Sequence, residues 1–164
     1  ILGSSQSSVV FSNLGDYSSK YKHLQLRWTG RTTTANVMTE LAIRVNSVSS
    51  NSYSWHFLRG ENSTMVSTGG STQSGMFLGQ FSSTTAVANN FGAGVLDILD
   101  AYSTTKNKTF RGLSGCPDPS LSRVSLYSGL FQSTDSTTSL TVLTQNFTDS
   151  MIAGSRFSLY GLRG

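Results

Sequence analysis

Two carboxylates, Asp97 and Asp100, stand inside the most apolar run of the chain, "VLDILD" (Val95–Asp100). Two acids that converge on one substrate atom can do general acid–base work. In an extended strand, however, positions 97 and 100 differ by an odd number and project from opposite faces. A helix would bring them together at i and i+3, but Gly92 and Gly94 just upstream weaken a helix there. The expectation is structural. Asp97 is satisfied by loop amides or an arginine, and Asp100 opens the exit into "AYSTTKNK".

The other groups able to do chemistry are scattered. His23 and His56 sit in strand-like segments with no second His or Cys at ligand spacing, so the three or four converging donors of a metal site cannot be assembled. Cys116, the single cysteine, lies in the turn "SGCPDP" outside any cysteine-protease signature, and reads as a solvated or half-buried thiol. Without a partner it forms no intrachain disulfide, which fits synthesis in a reducing cytosol. "GGSTQSG" and "GLSGC" fall short of a serine-nucleophile elbow, and no Gly-rich loop carries the Lys-Ser/Thr of a phosphate cradle. No catalytic residue, metal or cofactor is expected. The aromatic stripe of "NSYSWHFLRG" puts Tyr53, Trp55 and Phe57 on one face of a strand and His56 on the other. It reads first as core and second as a sugar-stacking platform. Tyr53 and Trp55, with Asn62, Ser63 and Thr64 at the start of the next loop, are the candidate ligand or partner contacts.

These residues need a frame. Ser and Thr make up 49 of 164 residues, Gly adds 16, and only 12% are charged. Such a chain lacks the Ala, Glu and Lys of long helices and favours strands and turns. Periodicity marks ten strand-like segments: Ser8–Ser12, Tyr21–Gly30, Glu40–Asn46, Tyr53–Gly60, Gly75–Phe81, Phe91–Ala101, Lys108–Ser114, Arg123–Phe131, Ser139–Thr144 and Arg156–Leu162. In "YKHLQLRWTG" Leu24, Leu26 and Trp28 point one way and His23, Gln25 and Arg27 the other; in "ELAIRVN" Leu41, Ile43 and Val45 point inward. One greasy and one wet face per strand, with no helical period between strands, gives an all-β, two-sheet antiparallel β-sandwich, jelly-roll-like, in one domain spanning residues 1–164. Thr32–Thr39, Asn62–Ser74 and Ser133–Thr138 read as hydroxyl-rich surface loops.

The net charge of +4 invites a nucleic-acid reading, but the basic residues form only loose groups, at Lys20, Lys22, Arg27 and Arg31 and at Lys106, Lys108 and Arg111. With no Lys/Arg run and no zinc-finger or helix-turn-helix spacing, no nucleic-acid partner is expected. No apolar run reaches the about 18 residues that span a bilayer, so no membrane partner is expected either. The start at Ile1 rather than Met implies processing, or residues ahead of it.

The order of segments "ILGSSQSSVVFSNL", "YKHLQLRWTGRT", "LAIRVNSVSSNSYSWHFLRGENS", "NNFGAGVLDILDAYSTTKNKTFRGLSG" and "SRFSLYGLRG" resembles a family of small virion structural proteins of tailed bacteriophages, many of them marine. The resemblance runs from Ile1 to Gly164 and is most specific in "GAGVLDILDAYSTTKNKT" and "RFSLYGLRG". One departure stands out: Gly15 and Asp16 followed by "YSSKYKH" make a longer link before the second strand than the family usually has. The resemblance implies a protein made in the host bacterial cytoplasm and carried on the outer surface of the virion. Its partners would be the major capsid protein or tail proteins of the same phage. A homo-oligomer is expected, a trimer by preference.

A capsid decoration or cement role leads, because a compact domain without a stalk or coiled coil has nothing with which to build a fibre. The alternatives are a tail-fibre or receptor-binding module for a host surface glycan, and a carbohydrate-binding module of a larger protein. For the fold itself, Leu26→Asp or Ile43→Asp is expected to abolish cooperative unfolding by circular dichroism, since each buries an unpaired charge between the sheets.

Overall fold

Strand β2 (His23–Gly30) shows why the chain folds as it does. Leu24, Leu26 and Trp28 are buried, while His23, Gln25 and Arg27 turn to the other face. The same period of two places Ser125, Tyr127, Gly129 and Phe131 of β9 (Arg123–Phe131) inside and Val124 and Leu126 outside. The structure, a computed structural model, describes residues Ile1–Gly164. The remaining strands are β1 (Ser8–Phe11), β3 (Met38–Val45), β4 (Tyr53–Glu61), β5 (Thr64–Gln73), β6 (Met76–Ser82), β7 (Gly92–Leu99), β8 (Lys108–Cys116), β10 (Leu140–Thr144) and β11 (Arg156–Leu162). The single helical element is a 3-10 turn, Leu14–Tyr17, in the link before β2.

The strands form two antiparallel sheets, a four-stranded one in the order β1-β10-β3-β6 and a seven-stranded one in the order β11-β2-β7-β8-β9-β4-β5. Setting aside β7, β8 and β11 leaves β2-β9-β4-β5 facing β1-β10-β3-β6, the double Greek-key order of an eight-stranded jelly roll. The β7–β8 hairpin is inserted between β2 and β9, and β11 extends the sheet beside β2. "VLDILD" is therefore the inner part of the hairpin that widens the large sheet.

The sheets meet over a core that includes Leu26, Ile43, Leu78, Leu96, Phe110 and Phe131, all essentially inaccessible. β6 approaches the large sheet closely enough that two positions opposite it must lack a side chain. A Cβ on Gly112 would lie 2.9 Å from the Leu78 carbonyl oxygen, and one on Gly92 would lie 2.9 Å from that of Gln80. The Trp28 indole donates to the same Gln80 carbonyl at 3.1 Å, which fixes β6 laterally.

Two expectations need correction. Asn62–Ser74 is not a loop: Asn62 turns a tight hairpin with φ of 49° and Thr64–Gln73 runs back along β4 as the edge strand β5, which joins the ten segments marked by periodicity. Its side chains are mostly exposed, so no hydrophobic period advertises it; the ladder with β4 supplies the order instead. Likewise Thr32–Thr39 is not wholly a surface loop, since Thr32 is buried and Met38 and Thr39 already belong to β3.

Gly112→Val tests the close approach. The added side chain meets a backbone carbonyl rather than a flexible side chain, so the variant is expected to lose about 1–3 kcal/mol of stability by denaturant unfolding.

Candidate functional site

The densest gathering of ionisable groups surrounds a carboxylate that the alternation of β3 does not single out. Leu78 of β6 has no partner in β3, and this bulge lies between the pairs Leu41–Gly79 and Ala42–Phe77. Beyond it Glu40 is drawn into the interior, where it is 7% exposed. It accepts hydrogen bonds from the Tyr127 hydroxyl at 3.0 Å, Gln80 Nε2 at 3.3 Å and Arg59 Nη1 at 3.2 Å. The chain of charge continues outward: Arg59 Nη2 reaches Glu61 at 3.0 Å, and Arg123 Nε donates to the same Glu61 oxygen at 2.9 Å. Burial holds the Glu40 carboxyl above its ordinary 4.5, against the opposing pull of Tyr127, Gln80 and the two arginines. Burial and the adjacent Glu40 raise the Tyr127 phenol, which therefore stays a donor.

These groups form one side of a cleft of about 300 Å³ whose other walls are Trp55, Phe57, Phe77, Thr68 and Gln145. Trp55 and Phe57 stack at 5.8 Å, Trp55 tilts against Phe77 at 4.9 Å, and the Arg59 guanidinium lies 4.7 Å over Phe57. The aromatic faces are thus largely taken up by one another. Trp55 Nε1 and Arg59 Nε have no hydrogen-bond partner. Both carboxylates are tied to arginines, so the cleft offers donors to a ligand and no free base.

The candidate contacts do not converge. Tyr53 is fully buried, its hydroxyl donating to the carbonyls of Val45 and Val48, and its ring stacks on Phe131 at 4.8 Å. Trp55 is half-buried on the cleft wall. Asn62, Ser63 and Thr64 lie at the far end of β4, in the turn into β5, where Asn62 exchanges two hydrogen bonds with Ser122 and Thr64 donates to the Glu61 carbonyl. A nine-residue strand spans roughly 30 Å, too far for Tyr53 and Thr64 to share a small ligand.

Asp97 and Asp100 are separated as their parity requires. Asp97 accepts from Gln25 at 2.8 Å and Arg111 at 2.9 Å on the outer face of the large sheet. Asp100, in a left-handed conformation just after β7, pairs with Lys106 at 2.7 Å, and that contact lowers its pKa. The His23 ring accepts the Asp100 backbone N–H at Nδ1. Cys116 corrects another expectation. It is neither solvated nor half-buried but fully enclosed beside Ser82, and burial raises its pKa, which leaves the thiol protonated.

A second surface was not foreseen. On the outer face of the large sheet Val95, Leu113, Leu126 and Leu58 are direct cross-strand neighbours, one from each of β7, β8, β9 and β4. Val124 and Met65, 58% and 69% exposed, flank them on either side of Gly60. In the neighbouring row run Gln25, Asp97 and Arg111. The alternation of β9 already contained part of this surface, because Val124 and Leu126 are apolar residues at outward positions.

Removing one partner of the buried pair is expected to be costly: Arg59→Ala leaves Glu40 uncompensated and should lose about 3–5 kcal/mol by chemical denaturation. The pH dependence has a definite sign. Because the Glu40 carboxyl ionises less readily folded than unfolded, its contribution to stability is complete below pH 4.5 and is lost as pH rises through the folded-state value. Asp100, Asp118 and Asp149 are lowered from 3.8 and act only at more acid pH. Unfolding free energies measured upward from pH 4.5 should fall in the wild type and fall less in Glu40→Gln.

No protein-family model matches this chain, and no curated protein or solved structure matches it either.

Proposed function

We propose that this chain is a non-catalytic structural protein of a bacteriophage particle, carried on its exterior and docked to the capsid as a decoration or cement protein. The observation that carries the reading is the aliphatic row on the outer face of the large sheet. Leu58, Leu113, Val124, Leu126 and Met65 are each roughly half or more exposed and contiguous, on a face that no element of the fold covers. A contiguous apolar patch of this kind marks an interaction surface. Completing the burial of five such side chains contributes on the order of 1 kcal/mol each before the costs of association.

The chemistry around the row fits a large protein lattice with acidic groups. Arg27 lies beside Val95 in the adjacent register position, and Arg111, which is largely exposed, stands one row away. Rim cations of this kind guide docking and fix its register more than they add affinity. Self-association has a separate surface in β5, a ten-residue edge with neither charge nor proline to block pairing. The jelly-roll order adds support by analogy, since the architecture recurs in capsid and lectin domains. The resemblance of "GAGVLDILDAYSTTKNKT" and "RFSLYGLRG" to tailed-phage virion proteins points to the same setting.

Quantitative mass spectrometry of purified particles tests the proposal. A copy number in fixed proportion to the major capsid protein is the expected result, whereas a few copies per particle would move the chain to the tail. The double variant Leu113→Asp/Leu126→Asp alters only outward positions, so it should fold and fail to bind particles that lack the protein. Undiminished binding would remove the outer face from the interface.

A further inference from the structure

Each of the two sheets has two edges, and three of the four carry a device against further pairing. β1 has only four residues. On β6 the outward carbonyls of Gln80 and Ser82 are already taken, by the Trp28 indole and by the Thr32 N–H. β11 opens on the exposed charge of Arg156. β5 is the exception: it runs for ten residues without charge or proline, and its one ladder is with β4.

Hydrogen bonds at the two ends of β4 fix which groups of β5 are free. The Asn62 N–H donates to the Ser122 carbonyl and the Gln132 N–H to that of Ser52, and both bonds continue the register that β4 keeps with β9. Even positions of β4 therefore face β9, and odd positions face β5. The odd residues Arg59 and Phe57 stand opposite Val66 and Thr68. The backbone groups of Met65, Ser67 and Gly69, which alternate with these, point to the open edge. Beyond Gly70 the ladder slips by one residue and Thr72 takes a left-handed φ of 54°, so the regular part of the edge ends there.

We propose that two copies of this chain pair along β5, antiparallel about a two-fold axis at Ser67, so that their large sheets become one. This register sets open groups against open groups. Met65 meets Gly69 of the second copy and Ser67 meets Ser67, with about six backbone hydrogen bonds along the seam. The side chains fit the same axis. Met65, 69% exposed, stands opposite a residue with no side chain, while on the other face Val66 stands opposite Thr68 and Thr64 opposite Gly70. A foreign strand would have to reproduce this order of large and absent side chains, whereas a second β5 supplies it by symmetry. Leu58 is the neighbour of Ser67, so the aliphatic rows of the two copies lie on one outer face, on either side of the axis. A two-fold axis gives a dimer in place of the expected trimer. The seam deepens the self-association assigned to β5 but does not rest on attachment to a particle, so either can fail without the other.

Sedimentation equilibrium of the purified chain, from about 1 µM to about 1 mM, tests the pairing. The seam is shorter than a standard interface, and a dimer with Kd on the order of 100 µM is expected. Ser67→Lys and Ser67→Glu each set like charges opposite one another at the axis. Each should weaken the dimer about fivefold, and an equimolar mixture of the two should recover it as a heterodimer. Ser67→Pro removes the donor at the axis and should reduce dimerisation below detection. Ser67 is exposed and its backbone N–H lies outside the β4 ladder, so all three variants should keep the thermal melt of the wild type. Leu113→Asp/Leu126→Asp leaves β5 untouched and should dimerise like the wild type. The pairing is overturned by a wild type that stays monomeric, by a dimer indifferent to Ser67→Pro, or by a Lys and Glu mixture that fails to recover. Loss of the dimer in Leu113→Asp/Leu126→Asp would overturn it as well, by moving the contact to the aliphatic row.

Discussion

A single buried carboxylate, Glu40, sets the terms for how the two sheets can meet. The network spans four strands: Glu40 stands on β3, and its partners are Gln80 from β6, Arg59 from β4 and Tyr127 from β9. An isolated carboxylate in this interior would cost several kcal/mol, so the fold is stable only when all three donors arrive in register. Hydrophobic contacts tolerate small slips of one sheet over another, but three hydrogen bonds to one side chain do not. The network thus contributes specificity of packing more than net stability. It also places Arg59, and through it Glu61 and Arg123, along the cleft wall.

The same registration explains why the molecule presents two such different surfaces. β6 rests on the large sheet where Gly92 and Gly112 lack side chains, which brings the small sheet over its middle. The inserted β7–β8 hairpin widens the large sheet to seven strands against four. Its inner face is covered, while its outer face spreads the aliphatic row across four strands in the open. At the margin, β11 adds a strand with no counterpart opposite it in the small sheet, and the gap between β11 and β1 becomes a tyrosine-lined groove. One insertion and one added strand on a jelly roll thus account for both features.

Much of this frame was legible in the residues and some of it could not have been. The alternation of Leu24, Leu26 and Trp28, or of Leu41, Ile43 and Val45, gave the strands and their inner faces, because sheet burial has a period of two. β5 escaped notice since an edge strand needs only one neighbour's hydrogen bonds, and "TMVSTGGSTQ" carries little apolar content to reveal it. Glu40 escaped notice because simple alternation along β3 would place it outside, and the bulge at Leu78 in the neighbouring strand interrupts that alternation. The tyrosine groove is assembled from the turn before β2, the exit of β7 and the middle of β11, segments brought together only by topology. Tyr53 was misplaced among the contacts for a related reason: the stripe Tyr53, Trp55, Phe57 was recognised, but which of its members ends at an opening depends on where the small sheet stops.

The basic character of the chain has a structural use that bears on its partners. Arg31, 9% exposed, donates to the carbonyls of Thr84, Ala86, Val87 and Asn90, so a guanidinium replaces regular structure in organising the loop between β6 and β7. Asp118 completes that loop by accepting the Val87 N–H, and its hydrogen bonds hold its carboxyl down to about 2. Lys108 is fully buried and donates to the carbonyls of Ser103 and Lys106, tying down the "AYSTTKNK" turn, and burial lowers its pKa. Neither cation has a carboxylate in contact, so half of the formal excess of +4 is consumed by backbone oxygens inside the protein. The charge left at the surface is dispersed and partly paired, as at Arg111 with Asp97 and Lys106 with Asp100. A composition that reads as a footprint for polyanions is, in the folded chain, largely a means of holding long polar loops without helices.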